Sequence, residues 1–179
     1  MRQGPSGRAR AHQLERMPMT ELSETDARLL RAAFQVAIRA REEGNLPFGC
    51  VLVDDAGNVV IEQGNLGLVP VRDATAHAET VAAGRAARRY EPSELEHFTL
   101  YVSAEPCAMC AGAVYWAGIG RVVFGLTERD LKGLTGNHPD NPTMDLPCRE
   151  VFASGQRSVE VLGPELVDEA LRVFDGYWN

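Results

Sequence analysis

Ala76-His77-Ala78-Glu79 and, 30 positions on from the histidine, Pro106-Cys107-Ala108-Met109-Cys110 are the stretches around which this chain is organised. Two cysteines three apart, in a loop turning into a helix, can face one point. A histidine in the first turn of a second helix can meet them there. One imidazole and two thiolates suit a zinc ion, Zn2+, and leave its fourth tetrahedral corner open; a purely structural zinc site closes all four with protein. Glu79, two residues from the histidine, is then free to move protons. A closed zinc knuckle or a redox pair is the competing reading of Cys107 and Cys110. Closure would need a fourth ligand, and Cys50, Cys148, His12, His97 and His138 stand at no ligand spacing.

Working outward, Ser23-Glu24-Thr25-Asp26 resembles a capping box. Leu29, Leu30, Ala33, Phe34, Ala37 and Ile38 follow at helical spacing up to Gly44. Phe48 to Asp54 reads as a buried strand, Asp54 to Asn58 as a turn, and Val59 to Gln63 as a second strand, which together predict a hairpin. A helix is expected from near Thr75 to about Arg89. Phe98 to Val102 predicts a strand, and Glu105-Pro106 opens the next helix. Arg121 to Phe124 reads as a strand, Thr127 to Leu131 as a short helix, and residues 133–147 as a loop whose length points to function or mobility. Val159 to Leu162 and Glu165 to Phe174 predict a last strand and helix. Helices alternating with strands in the second half predict a partly parallel sheet covered on both faces.

The 179 residues suit one α/β domain, over 23–179. Residues 1–22 lack hydrophobic period and are expected to be a disordered leader. The net charge is −7. The leader holds four arginines and two glutamates, so the domain itself is more acidic still. An acidic surface repels phosphate backbones, which weighs against a nucleic-acid partner. No apolar run approaches the roughly 20 residues of a membrane span. Neither a signal peptide nor a disulfide framework is evident, so a reducing cytoplasmic setting is expected.

The chain resembles the cytidine deaminase superfamily, whose signature is H-x-E…P-C-x-x-C. The matching stretches are Pro47-Phe48-Gly49, Gly64-Asn65, Asp73 to Glu79, Glu105 to Ala113, Tyr115-Trp116-Ala117 and Ile119 to Gly125. They are most similar to the branch of guanine deaminases, fungal-type cytosine deaminases and tRNA adenosine deaminases. The resemblance implies a three-layer α/β/α fold with a five-stranded mixed sheet and zinc between two helix starts. It implies that bound zinc lowers the pKa of water toward about 7. Glu79 would pass that water's proton to the ring nitrogen and then to the departing amine. It also implies that Asn65 hydrogen-bonds the base, that the Ala78 N–H holds a ring carbonyl, and that the protein is a homodimer. Without the resemblance, Asn65 reads as a turn residue. Phe48 is a pocket wall or a core residue, and Trp116, beside Tyr115, a pocket wall or a packing group.

Three readings of the substrate compete. A small free nucleobase or nucleoside, guanine-like, is favoured by Phe48, by Tyr115-Trp116-Ala117, and by aromatic Phe174, Tyr177 and Trp178, similar to tails that close over small substrates. A tRNA adenosine is favoured by Cys110 to Ala113 and Ile119 to Gly125 but opposed by the acidic C-terminal helix. A cytosine or isocytosine is a smaller variant of the first reading. A non-catalytic scaffold is the third reading, against which all four chemical positions stand. Asp140, with His138 near it, is the candidate contact for an exocyclic amine, or else part of a solvated turn.

Overall fold

The computed structural model describes residues 21–136 and 138–178, so the leader expected over 1–22 lies outside the described residues except for its last two positions. Helix α1 spans Glu24–Glu42. Its capping box is present: the Ser23 hydroxyl accepts from Asp26 N, and the Asp26 carboxylate accepts from Ser23 N. Strands β1 (Gly49–Val53) and β2 (Val59–Gly64) form the expected antiparallel hairpin. β1 also pairs antiparallel with β3 (Thr99–Ala104). β4 (Arg121–Leu126) and β5 (Glu160–Leu162) extend the sheet in parallel. The five strands run in the order β2-β1-β3-β4-β5.

Alternation along the strands feeds two cores. Cys50, Leu52, Leu100, Val102, Val122 and Phe124 face helices α2 (Ala78–Ala86), α4 (Ala108–Ala117) and α6 (Cys148–Ala153). Val51, Val53, Tyr101 and Val123 face α1 and α7 (Val167–Phe174). Both faces are covered, so β1 and the inner strands are buried throughout, as continuous apolar runs require. The three-layer arrangement with a five-stranded mixed sheet is the one expected. Gly49 lets α1 lie directly on the sheet, for a Cβ there would stand 2.4 Å from Ala37 N. Gly118, at φ 100°, closes α4 in the left-handed conformation that glycine adopts without penalty.

The structure departs from expectation at short elements. Helices α3 (Pro92–Leu95) and α6 were not legible, because four and six residues are too few to display a helical period. α2 starts at Ala78 and not near Thr75. The Asp73 carboxylate accepts from Thr75 N at 2.8 Å, an Asx turn that keeps the chain out of helix until His77. Helix α5 (Glu128–Thr135) runs past Leu131, which shortens the long loop to 136–147. Among the described residues no helix is long and apolar enough to cross a membrane.

Candidate metal centre and active site

His77 is the N-cap of α2, Cys107 the N-cap of α4, and Cys110 the third residue of α4. Neither side chain makes an N-cap hydrogen bond to its helix, and the two meet each other instead, His77 Nδ1 beside Cys107 Sγ. Buried Ala78, Ala82, Ala83 and Ala111 let the two helices pack closely beneath them. Both positive helix ends then point at one spot and favour anionic sulfur there.

His77 Nδ1 lies 3.6 Å from Cys107 Sγ and 3.5 Å from Cys110 Sγ. Tetrahedral zinc with ordinary Zn–N and Zn–S bonds separates such atoms by about 3.6 Å. All three donors lie within 4.8 Å of one another. The triad therefore fits the ion. Among the described residues it is the one such cluster, and Cys50, Cys148, His97 and His138 do not join it. The Thr80 hydroxyl and Cys110 Sγ are 3.2 Å apart and share a hydrogen bond.

The charges are tightly coupled. A hydrogen bond from Cys110, with help from His77, draws the Cys107 thiol down to about 4. The Cys107 sulfur, together with burial, pushes Cys110 well above the usual thiol range. His77 is raised by its bond to Cys107. Glu79 is buried beside them, and burial, then the Cys107 charge, lifts its carboxyl to about 7. A second buried acid, Glu128, is pushed up to about 8 by burial and then by Cys107, Glu105 and Glu79.

Asn65 directly follows β2 and is only 1% exposed. Its Oδ1 accepts from Gly67 N at 2.7 Å, which fixes the amide's orientation. The Nδ2 group, thus turned the other way, is buried without a partner. Such an orphan donor is costly unless something else accepts from it. Leu66 N donates to Ala76 O, tying the Asn65 turn to the His77 turn. Ala78 is fully buried and is the first residue of α2, so its N–H has no acceptor within the helix.

The aromatic and acidic candidates divide. Phe48 is partly buried, 5.5 Å from the Phe174 ring, and Asn65 N donates to its carbonyl. Phe174 is 3% exposed and belongs to the α1–α7 core, which leaves Tyr177 and Trp178 as the outer aromatics of the tail. Trp178 packs 5.0 Å from His138, and its Nε1 is a second buried donor without a partner. Asp140 is paired with Arg72 at 3.0 Å, joining loop 136–147 to the loop between Asn65 and His77. Trp116 needs correction as a base contact. It is 85% exposed, and it lies nine residues, about 13 Å, along α4 from Cys107. Thr80, Glu105 and Glu128 were not singled out by the sequence. Thr80 and Glu105 lie beside the motif residues in sequence but their letters announce no role there, and only the fold brings Glu128 to the metal turn.

The fold and the triad together define a zinc hydrolase of the deaminase type. The zinc-binding region of cytidine and deoxycytidylate deaminases matches residues 23–126, and the chain belongs to that family as a zinc-dependent hydrolytic deaminase. It is 43% identical over 163 residues to a "Probable cytosine deaminase" of Schizosaccharomyces pombe, covering 91% of this chain and 98% of that one. It is 44% identical over 106 residues to a tRNA-specific adenosine deaminase of Haemophilus influenzae, covering 59% and 61%. A guanine deaminase structure from Nitrosomonas europaea shares the fold with a TM-score of 0.69 at 21% identity, over 92% of this chain and 90% of that one.

Proposed function

We propose that the chain hydrolyses the exocyclic amine of a small nucleobase or nucleoside, a guanine-like purine foremost, with release of ammonia. Ring C–NH2 and water become ring C=O and NH3. The observation that carries this is the triad at zinc spacing with buried Glu79 beside it. Zinc held by His77, Cys107 and Cys110 would supply an activated water. Glu79 takes that water's proton, hands it to the ring nitrogen, and then serves the leaving amine. Its burial beside the triad places a carboxyl where it can both accept and return a proton. Asn65 Nδ2 and the Ala78 N–H are two donors for the ring's acceptors. Phe48, Asp140 and Trp178 are the rim groups. Asp140 would turn from Arg72 to the substrate's second amine.

Cytosine is the second reading, favoured by the relative that matches 91% of this chain. A tRNA substrate fits less well, because the net charge is −7 and α7 carries Asp168 and Glu169 against Arg172. A homodimer is supported by the apolar outer face of α4, where Met109 and Trp116 are exposed. The test is ammonia release by the zinc-loaded protein with guanine, guanosine, isocytosine, cytosine and tRNA. Turnover of guanine is the expected result. Turnover of cytosine alone transfers the assignment to the second reading, turnover of tRNA alone overturns both, and no turnover removes the enzymatic reading.

A further inference from the structure

We infer that Glu105 is a positioning residue whose single carboxylate fastens both ends of the segment from Glu128 to Cys148 beside the metal-binding turn, and thereby sets where His138 and Asp140 stand over the substrate. The inference rests on the nucleobase reading above.

Glu105 follows the last residue of β3 and directly precedes Pro106-Cys107. It is buried, at 6% exposure. Its Oε2 accepts from Glu128 N at 3.0 Å, and its Oε1 accepts from Cys148 N at 2.9 Å. Those donors open α5 and α6 respectively. N–H groups at helix starts have no acceptor inside the helix and must find one elsewhere. At α6 the N-cap is Pro147, whose side chain has no oxygen to offer. Glu105 does from a distance what a local serine or aspartate does at other helix starts. Its own N–H donates to Leu126 O at 2.7 Å, so the anchor is itself tied to the end of β4.

One carboxylate thus holds two points 20 positions apart in sequence, and it sits two residues from a metal ligand. Between those points loop 136–147 carries His138 and Asp140. Its outer part is held by the Arg72–Asp140 pair and by His138 against Trp178. A residue that merely capped a helix would control one end. Glu105 controls both, so the segment is placed relative to Cys107 and not to its own sequence neighbours.

The experiment uses the zinc-loaded full-length protein and Glu105→Gln, with Glu105→Asp as the second variant should the first not fold. The glutamine keeps one acceptor and turns an NH2 toward the other N–H, which releases one end of the segment. Expected are unchanged zinc per chain, faster hydrogen exchange at the amides of residues 128 or 148, and KM raised about tenfold, the worth of one charge-assisted hydrogen bond. The kcat should move less than about threefold. The aspartate, which keeps the charge, should recover part of the KM. Loss of zinc, unchanged exchange, or faster exchange with unchanged KM would each overturn the inference. A wild-type protein idle on every base removes the nucleobase reading instead. Hydrogen exchange needs no substrate and then still decides whether Glu105 anchors the segment.

Discussion

The parallel strands β3 and β4 have a buried carboxylate at each end, and the two ends treat it in opposite ways. At the start of β4, Asp26 accepts from Arg121 Nη1 at 2.7 Å and Nη2 at 3.2 Å, from Tyr101 Oη at 2.7 Å and from Ser23 Oγ at 2.7 Å. Burial pushes its pKa up, but those bonds outweigh it and hold the carboxyl well below the usual range. At the far end, Glu79 and Glu128 sit among sulfur, imidazole and one another, and both are pushed up to near neutrality. A satisfied buried charge locks α1 to the sheet. Burial without an arginine partner shifts a carboxyl toward its protonated form.

The contrast is easiest to break at the metal. Cys107→Ala and Cys110→Ala should each abolish metal binding and activity, read by elemental analysis and ammonia release; a variant that keeps one zinc per chain would remove the triad from the account. Glu79→Gln should retain zinc and lower kcat by about a thousandfold or more. Near-native turnover would show that the proton travels by another group. Asp26→Asn should act on the opposite end. It should lower stability at pH 7 by about 3 kcal/mol, as loss of one partner of a buried pair does, while zinc and kcat per folded molecule stay the same. The sign follows from the depressed native pKa. The stabilisation is present above the unfolded value of about 3.9 and disappears as pH falls below it. Wild type and variant should therefore converge in acid, and a constant gap down to pH 2 would contradict the assigned charge.

Smaller effects sharpen the picture. Asn65→Ala should reduce kcat/KM by about ten- to a hundredfold through loss of the Nδ2 donor, and should lower stability by about 1 to 3 kcal/mol because Gly67 N loses its acceptor Oδ1. Equal kcat/KM would return Asn65 to a turn role. Trp178→Ala should raise KM only a few fold. It is a better test of a covering tail than truncation at Phe174, which would also open the α1–α7 core.

The metal ligands could be read from the chain because each pair of neighbours is local. His77 and Glu79 share one helix start, as do Cys107 and Cys110, and helix geometry alone decides how they face. The inner strands β1, β3 and β4 were legible too, since strands covered on both faces are mostly apolar runs. The rim was not. Trp116 looked like a base contact from its neighbours, yet α4 carries it away from its own metal end. Phe174 and Trp178 are four residues apart in one aromatic tail, but packing buries the first within the core and leaves the second at its edge, against His138.

The amino-acid order by itself determined the chemistry, because an imidazole, a carboxylic acid and two thiols keep their identity wherever the chain goes. Tertiary structure alone decided which buried acids are neutralised by an arginine and which are left to hold protons. It also decided that Glu105 would join Glu128 to Cys148. Those outcomes depend on desolvation and on partners distant in sequence, and neither exists until the layers have closed.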